Sequence, residues 1–201
     1  MPWKPDYLTL GVAKHFERIG DELDDSELAV YISTASRAID DTCNRQFGQL
    51  DTAAEWTYRP YYDIERGRWA CRVDDITDTT GLIVKVGGTT LAAGTYALEP
   101  SRAASQGRSY TRVVIGLDAA AQPAGNGTEE AAITCRWGWS TQPAQVGMAC
   151  RLQVSRFAAR RESPYGIAGS PDTGGELRLL ARVDPDVAVS LRGLVRPRMA
   201  A

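Results

Sequence analysis

The stretch DDSELAVYISTASRAIDDTCNRQF, residues 24–47, decides the fold of this chain. Its apolar residues recur at steps of three and four, which places them along one face of an α-helix. Those residues are Leu28, Tyr31, Ile32, Ala35, Ile39 and Cys43. Asp24 stands at the position of a helix cap, and Glu27 follows three residues later, as in a capping box. We therefore predict one amphipathic helix of about 22 residues, roughly 33 Å long, that stops at a basic-aromatic ending.

A second helix of similar length is predicted about a hundred residues downstream. Pro143 suits its first turn, because the N–H that a proline lacks would be unpaired there anyway. Ser163 and Pro164 end the segment near Glu162. The apolar stripe consists of Val146, Cys150, Val154 and Phe157. We expect the two helices to pack together as an antiparallel core.

Between the two helices the pattern changes to short β-branched and aromatic runs bounded by Gly, Asp or Asn. Gly87 and Gly88, between two such runs, suit a hairpin turn. We predict about six antiparallel strands, with long loops near residues 101–109 and 118–130. The predicted class is therefore α+β. The predicted parts are an N-terminal helical part (1–53), an inserted β-domain (54–140), a second core helix (141–163) and an extended tail (164–201).

The tail is predicted to carry one short helix. Its first part is rich in glycine and unsuited to a regular core. Asp184 and Pro185 then form a helix start signal, and Val187, Leu191 and Leu194 share one face of the helix. A short amphipathic helix is marginally stable alone. We therefore expect it to dock onto another surface.

Composition excludes several classes of protein. The formal net charge of -2 argues against a dedicated nucleic-acid binder. The cysteines form no CxxC pair, so we expect small buried thiols and neither a zinc site nor a redox motif. They are Cys43, Cys71, Cys135 and Cys150. No window reaches the ~20 apolar residues of a membrane span, and the start of the chain has no secretory pattern. We expect a soluble protein from a reducing cytoplasm, with no membrane partner.

No catalytic or metal-binding pattern emerges from the titratable residues. His15 is the only histidine, which leaves no material for a triad or a histidine metal cluster, and we expect an ordinary helix residue. Asp74, Asp75 and Asp78 provide too few ligands at the spacing of a calcium loop, and turn formers at a strand end are the better interpretation. We predict a protein without catalytic activity, cofactor or metal.

Four arginines of the second predicted helix form the most informative charged group. One interpretation is a solvated helix face, which is the default for charged residues. The other is a contact with the acidic run 21–27 of another copy, and such head-to-tail association closes into rings. The residues predicted to make this subunit contact are Arg151, Arg156, Arg160 and Arg161 on one side and Asp21, Glu22 and Asp25 on the other.

Three stretches together resemble the head-to-tail connector, or adaptor, proteins of long-tailed bacteriophages. The first leads from Thr9 and Leu10 into SELAVYISTASRAIDDTCNRQFG, residues 26–48. The second leads from the WGW at 137–139 into VGMACRLQVSRFAARRESPYGIAG, residues 146–169. The third joins GELR, residues 175–178, to DPDVAVSLRGLVR, residues 184–196. The likeness is weakest from 54 to 130, where the insertion is longer than in the plainest family members.

The resemblance implies a structural ring in the virion neck, assembled in the host cytoplasm and usually made of twelve copies. Such a ring joins the portal to a stopper or tail-completion protein. Genomic DNA passes through its lumen without sequence-specific binding. The family's portal contact, carried over, falls on Val187, Leu191, Arg192, Leu194 and Arg196.

Two rival functions remain at this point. One is another neck component, a stopper or tail-terminator protein. Those proteins are mostly β, so the two long helices speak against it. The other is a small enzyme that acts on nucleic acid or cell wall, for which the sequence offers no catalytic constellation.

Overall fold

The computed structural model describes residues 3–20, 24–162, 167–168, 177–178 and 185–197. The chain divides into two compact units. Met1–Lys4 and Phe47–Thr141 form a β unit, and Pro5–Gln46 with Gln142–Ala201 form a helical unit. The model contains both helices and antiparallel sheets, which confirms the predicted α+β class.

The β unit contains eight strands in its described part, two more than predicted, because two of them have only two or three residues. They are β1 (Ala54–Tyr58), β2 (Tyr61–Asp63), β3 (Arg68–Ile76), β4 (Ile83–Val86), β5 (Thr89–Thr90), β6 (Tyr96–Glu99), β7 (Tyr110–Ile115) and β8 (Ala131–Cys135). Sheet A has the order β2-β3-β7-β6, and sheet B has the order β1-β8-β4-β5. Every pairing within these two sheets is antiparallel.

One apolar core is built from both sheets. Strand residues alternate between the two faces of a sheet, so every second residue contributes to this core. The contributors from β3, β7, β4 and β8 include Cys71, Val73, Val113, Ile115, Val84, Val86, Ile133 and Cys135, each at most 1% exposed. Trp137 closes one side of the core. Its ring is stacked on Trp56 with the centroids 4.7 Å apart, and its Nε1 donates to the Ala54 carbonyl oxygen at 2.9 Å.

Asp75 is a buried carboxylate that ties three parts of the β unit together. Ser109 Oγ donates to Oδ1 at 2.7 Å, and Trp139 Nε1 donates to Oδ2 at 3.0 Å. The Gly138 N–H donates to the Asp75 carbonyl oxygen at 2.6 Å. Gly138 has φ of 103°, in the left-handed region that favours glycine. This position therefore requires the glycine between the two tryptophans.

The described part of the helical unit contains four α-helices and one short strand pair. They are α1 (Leu10–Glu17), α2 (Asp25–Cys43), α3 (Ala144–Glu162), α4 (Pro185–Leu191) and the antiparallel pair β9 (Ile167–Ala168) and β10 (Leu177–Arg178). A 3₁₀ turn, Arg192–Leu194, follows α4. Thr9 caps α1 as its position predicts, with its Oγ1 accepting from the Val12 N–H at 3.4 Å.

The capping box predicted for α2 is wrong. Asp24 is the N-cap residue, but its side chain makes no capping hydrogen bond. Its backbone, with φ of -107° and ψ of 10°, lies outside the extended region from which a cap side chain reaches the first turn. Glu27 accepts a hydrogen bond from the Tyr31 hydroxyl one turn later. The helix also has 19 residues and ends at Cys43, followed by the C-cap residue Asn44, whose φ is 52°.

Helices α2 and α3 run antiparallel, as expected. The Tyr31 and Phe157 rings are 6.2 Å apart, and Ser36 Oγ lies 3.7 Å from Cys150 Sγ. Residue numbers therefore rise along α2 as they fall along α3. The buried residues between the helices are those of the predicted stripes, among them Leu28, Ile32, Ala35, Ile39, Val146, Cys150 and Val154. Tyr31 and Phe157 are only half-buried.

A segment before α1 is fixed across these helices by hydrogen bonds. The Tyr7 N–H donates to Ser36 Oγ at 2.9 Å, and Gln142 Nε2 donates to the Tyr7 carbonyl oxygen at 3.1 Å. The Tyr7 hydroxyl donates to Asp40, whose carboxylate lies 3.3 Å from Arg37 Nε. Tyr7 is 3% exposed. The segment therefore forms part of the helical core.

Candidate subunit-contact and docking surfaces

The four arginines predicted to make subunit contacts differ in environment. Arg151 Nε is shielded from solvent and has no hydrogen-bond partner in the part of the chain that the structure describes. Arg156 and Arg160 are half-buried and make polar contacts within the chain. The side chain of Arg161 lies outside the described residues. A buried N–H without an acceptor costs about 1–3 kcal/mol, and this property distinguishes Arg151 from Arg156 and Arg160.

The acidic side of the predicted subunit contact is described only in part. Asp21 and Glu22 lie outside the described residues. Asp25 Oδ1 lies 2.6 Å from Lys14 Nζ, so its charge is balanced by α1 of the same chain. An intermolecular pair with Asp25 therefore has to compete with Lys14.

Two further shielded polar atoms of the helical unit lack a hydrogen bond among the described residues. Glu17 Oε1 on α1 and Gln153 Oε1 on α3 are buried, with no hydrogen bond to any residue that the structure describes. The other carboxylate oxygen of Glu17 accepts from Ser155 Oγ at 3.4 Å. Buried polar atoms are nearly always hydrogen-bonded in completed assemblies. These side chains belong to α1 and α3, which the sequence analysis did not connect.

The C-terminal segment packs onto the helical unit of its own chain. Helix α4 lies against α3, with Val187 1% and Leu191 0% exposed. The Arg196 N–H donates to the Cys43 carbonyl oxygen at 2.8 Å, and Asn44 Nδ2 donates to the Arg196 carbonyl oxygen at 3.5 Å. The expected docking surface is therefore present within the same chain. In this structure it covers two of the five residues predicted to contact a portal.

The other residues of the predicted portal contact are more accessible. Arg192 is exposed, and Leu194 and Arg196 are half-buried. Val189, on the outer side of α4, is 74% exposed, and Val195 is 44% exposed. The segment thus keeps two arginines and two valines partly open to solvent, while Val187 and Leu191 of its predicted apolar face are buried.

Sheet A carries a charged cluster that the sequence analysis missed. In the strand register, Arg72 of β3 lies opposite Arg112 of β7, and Arg112 lies opposite Glu99 of β6. Asp63 of β2 lies opposite Arg68 of β3. These residues alternate with core residues, so they share the outward side of the sheet. We call this side the arginine face and define it by Tyr61, Asp63, Arg66, Arg68, Arg72, Glu99 and Arg112.

Ion pairs fix two of the guanidinium groups on the arginine face. Arg66 Nη1 lies 2.8 Å from Glu99 Oε2, and Arg112 donates to the same oxygen. Arg112 also lies 3.5 Å from Asp63 Oδ2. Burial alone would raise the pKa of Glu99, but the hydrogen bonds from Arg112 and Arg66 outweigh it and hold the pKa below its ordinary value. The carboxylate therefore stays charged and keeps both arginines in place.

The other two guanidinium groups lie beside this network. Arg72 is exposed, with its guanidinium 5.2 Å from the centroid of the Tyr61 ring. Arg68 is exposed and has no ion-pair partner among the described residues. Arg68 also lines a groove of about 340 Å³ whose other walls include Ala97, Val114 and Leu117. The arginine face thus ends in a cation that is open to solvent.

The spacing of Arg66, Arg68 and Arg72 held a signal for this face. Arg68 and Arg72 are four positions apart, which places them on one side of a strand with a period of two, and Arg66 lies in the turn just before that strand. The contributions of Glu99 and Arg112 depend on strand register over a long sequence distance. Periodicity alone does not provide that register.

The four cysteines and His15 have the environments of ordinary structural residues. Burial raises the pKa of Cys43 and Cys150 to about 11 and that of Cys71 and Cys135 to about 12. All four cysteines are buried free thiols, as predicted. His15 is an exposed residue of α1.

The three aspartates considered as a possible cation site, Asp74, Asp75 and Asp78, also have structural roles. Asp74 and Asp75 lie inside β3, so their interpretation as turn formers is wrong. Asp78 does form a turn, in which it accepts from the Thr80 N–H at 2.9 Å. In the described ranges, no group of three or more His, Cys, Asp or Glu residues has an arrangement that would hold a metal ion.

The fold has a solved counterpart. A chain of the neck of an empty GTA particle, computed with C6 symmetry, is similar to this chain with a TM-score of 0.52 and 14% sequence identity. The similarity covers 100% of this chain and 95% of that chain. No protein-family model and no curated protein matches the sequence. At this identity the likeness establishes a shared fold over the full length of the chain.

None of the helices in the described residues combines the length and the apolar character needed to cross a bilayer.

Proposed function

We propose that this chain is a structural neck protein of a phage-like particle, and specifically a head-to-tail adaptor that forms a ring. The observation that carries the proposal is the fold shared with a chain of a GTA particle neck over both full lengths. The resemblance of three sequence stretches to adaptor proteins supports it independently, because those stretches include α2, α3 and α4. In the proposed ring the chain joins a portal to a stopper or tail-completion protein, and DNA passes through the lumen.

The C-terminal segment is the proposed portal contact. Val187 and Leu191 are covered by the chain's own helical unit, so their use on a portal requires that α4 leaves this position. Burying such a side chain stabilises by about 1.5–3 kcal/mol, so a portal groove would have to bury a similar area to compensate for what α4 gives up. The transfer would then be close to balanced. Arg192, Leu194 and Arg196 would add contacts that the covered position leaves partly open.

Arg151 is the proposed centre of the contact between neighbouring subunits. Its shielded Nε has no acceptor in the described chain, whereas Asp25 already pairs with Lys14. A carboxylate of the next subunit would satisfy Arg151, with Asp21 and Glu22 as the candidates that the sequence provides. Arg156, Arg160 and Arg161 extend the same helix and complete the proposed basic side.

The portal contact is tested with a truncation and a reversible tether. Removal of residues 176–201 should abolish co-sedimentation with the cognate portal ring. In Asn44→Cys/Arg196→Cys, a disulfide is designed to hold the segment in place, because the Arg196 N–H donates to the Cys43 carbonyl oxygen at 2.8 Å and the backbone at 196 therefore lies beside position 44. The oxidised form should lose portal binding, and reduction should restore it. Each single cysteine variant serves as the control.

The truncation and the disulfide variant distinguish three possible results. Portal binding that survives truncation would refute the C-terminal contact. Portal binding by the oxidised form would show that α4 acts without leaving its position. An absence of binding by wild type under all conditions would contradict the adaptor function itself.

The ring is tested by counting the subunits that bind to each portal. Arg151→Met keeps the length of the side chain and removes the guanidinium, so it should reduce the number of subunits bound per portal. Arg102→Met, at an exposed position of the β unit, is the matched control and should leave that number unchanged. Cryo-electron microscopy of the mixture gives both the number of subunits and the neighbours of Arg151. Equal occupancy by the two variants would contradict the proposed role of Arg151.

A further inference from the structure

We infer that a groove on sheet A is a contact surface through which two copies of this chain associate about a two-fold axis. This inference goes beyond the proposed function, because it concerns the free chain without a portal and a different unit from the proposed ring contact. We call the surface the sheet-A groove. It has a volume of about 340 Å³ and is lined by Arg68, residues 94–97, Val114 and residues 116–118.

The walls of the sheet-A groove are fixed within one chain. The Gly116 N–H donates to the Thr95 carbonyl oxygen at 2.7 Å, and Gln122 Nε2 donates to the Gly116 carbonyl oxygen at 2.7 Å. A Cβ atom at position 116 would lie 2.6 Å from Asp118 Oδ1 and 2.7 Å from the Thr95 carbonyl oxygen, so this close packing requires glycine. A partner therefore meets a groove that is already formed, which lowers the cost of ordering it on binding.

The groove combines an apolar recess with a projecting apolar side chain. Ala97 of β6 lies opposite Val114 of β7 in the register, and both line the groove. Leu117, which follows β7, is 73% exposed and lines the same groove. A single exposed leucine is normal on a protein surface. Here, however, one chain presents both a recess and a side chain that would cover the same recess of another copy.

Arg68 and Asp118 are the charged residues among those that line the groove. Both are exposed, and neither makes a hydrogen bond or an ion pair with a residue that the structure describes. Although they share one groove, they therefore do not neutralise each other by direct contact. The groove carries one positive and one negative group at separate positions, and their formal charges cancel.

The adjacent ion-pair network of the arginine face leaves this balance unchanged. Asp63 and Glu99 each contact Arg66 and Arg112, so these four groups balance one another. A neutral groove with separated charges has no preference for a polyanion or a polycation. It selects a partner that presents the same two charges in the reverse order.

A second copy related by a two-fold axis presents that order. In an isologous contact each residue pair forms twice, so Arg68 of each copy meets Asp118 of the other. A guanidinium group and a carboxylate also match in hydrogen-bond geometry. Leu117 of each copy then covers the apolar recess of the other. One contact thus gives a partner to both charges and to the exposed leucine.

The size of the groove predicts a weak association. It is lined by nine residues, whereas a standard interface has about 20–30 residues on each side. The dimer should therefore form only at high protein concentration. Because a two-fold contact closes with two copies, no species larger than a dimer should form through it.

Self-association of the full chain without a portal is measured by sedimentation velocity from about 10 µM to about 1 mM. Wild type should shift reversibly from monomer toward dimer. Leu117→Ser should weaken the dimer by about tenfold or more, since each dimer loses two apolar contacts. Ile83→Ser is the control. It removes an apolar residue of sheet B that is 41% exposed, and it should stay within about twofold of wild type.

Charge reversal tests the pairing itself. Arg68→Asp places two carboxylates opposite each other in both halves of the contact, and Asp118→Arg does the same with two guanidinium groups. Each variant alone should weaken the dimer by about fivefold or more. An equimolar mixture of the two variants should associate about as well as wild type, because opposite charges then meet again. The double variant Arg68→Asp/Asp118→Arg should do so for the same reason.

Three results would overturn the inference. Wild type that stays monomeric at the highest concentration would leave the groove to a different partner. An unchanged dimer in Leu117→Ser would place the contact elsewhere on the chain. A mixture of the two charge variants that associates no better than either variant alone would exclude the two-fold pairing. Thermal unfolding of each variant checks that the β unit remains folded.

Portal binding of the same variants keeps the two proposals separate. Leu117→Ser should still bind the portal ring, since the proposed portal contact lies in the helical unit. If wild type binds no portal but the dimer results hold, only the adaptor function fails. If wild type binds the portal but forms no dimer, only the two-fold contact fails.

Discussion

The β unit and the helical unit differ in how completely they satisfy their own polar groups. Among the described residues of the β unit, even the buried carboxylate of Asp75 has its donors, and no shielded side-chain nitrogen or oxygen lacks a hydrogen bond. The helical unit leaves Arg151 Nε, Glu17 Oε1 and Gln153 Oε1 shielded and without one. The described part of the β unit thus satisfies its shielded polar side chains within one chain, whereas the helical unit leaves several of them without a hydrogen bond from any described residue.

The largest expected effect tests whether the β unit is held by its own core. Trp137→Ala should lower the free energy of unfolding by about 4 kcal/mol, because a fully buried indole leaves a large cavity. It also leaves the Ala54 carbonyl oxygen without its donor. Urea unfolding followed by tryptophan fluorescence measures the change. Trp56→Ala, at a half-buried position, should cost clearly less, and equal costs would contradict the assigned packing.

The next effect tests the hydrogen bonds of the buried Asp75 carboxylate in the β unit. Asp75→Ala should cost about 3 kcal/mol, because the Ser109 hydroxyl and the Trp139 indole N–H lose a charged acceptor in a buried place. Differential scanning calorimetry of the full chain measures the change. Glu65→Ala, at an exposed turn position, is the control and should stay within about 0.5 kcal/mol of wild type. A cost below 1 kcal/mol for Asp75→Ala would show that water replaces the carboxylate easily.

A smaller effect tests the helical unit. Tyr7→Phe removes the hydroxyl that donates to Asp40, and a bond to a charged group contributes about 1.5–3 kcal/mol. We expect a loss near the lower end of this range, because Arg37 still pairs with Asp40. Urea unfolding followed by far-ultraviolet circular dichroism measures it. Tyr31→Phe, a half-buried position one turn from Glu27, should cost less than about 1 kcal/mol.

The smallest effect is pH-dependent and concerns the arginine face. The folded-state pKa of Glu99 lies below the ordinary value of 4.5, so its contribution to stability is present above pH about 4.5. That contribution is lost as the pH falls through the lower folded-state pKa. Glu99→Gln should therefore cost about 1 kcal/mol or less at pH 7, a modest value because solvent screens the pairs. The difference from wild type should vanish in acid, and a constant difference from pH 7 to pH 3 would contradict the ion-pair network.

Periodicity was enough to predict the helical pairing. One face of each long helix is defined by an apolar stripe, which includes Leu28, Ile32 and Ile39 in α2 and Val146 and Val154 in α3. Such a stripe is visible from the local sequence alone, without information from distant residues. The caps were less predictable. Thr9 fulfils its role, but Asp24 does not, because a cap depends on the backbone angles of the preceding turn. Those angles follow from tertiary packing.

The surfaces were harder to predict than the elements. The sequence indicated that α4 would dock, but not that its apolar face would meet the helical unit of its own chain. The arginine face depends on the register of β6 and β7, whose residues are far from Arg68 and Arg72 in sequence. The sequence did not show which of the four arginines of α3 would have a shielded Nε without an acceptor. All four belong to the same pattern, so Arg151 could not be distinguished from the others. Contacts over long sequence distances account for each of these misses.

The long segment of the β unit, Phe47–Thr141, begins and ends at adjacent positions. The Trp139 N–H donates to the Gly48 carbonyl oxygen at 2.6 Å, and the Leu50 N–H donates to the Trp137 carbonyl oxygen at 2.9 Å. A module whose two ends are adjacent can be gained, lost or exchanged during evolution by a short splice. Relatives that carry a different module, or only a tight turn, at this junction are thus accessible in few steps. The same junction is the natural site for grafting a reporter domain into the chain.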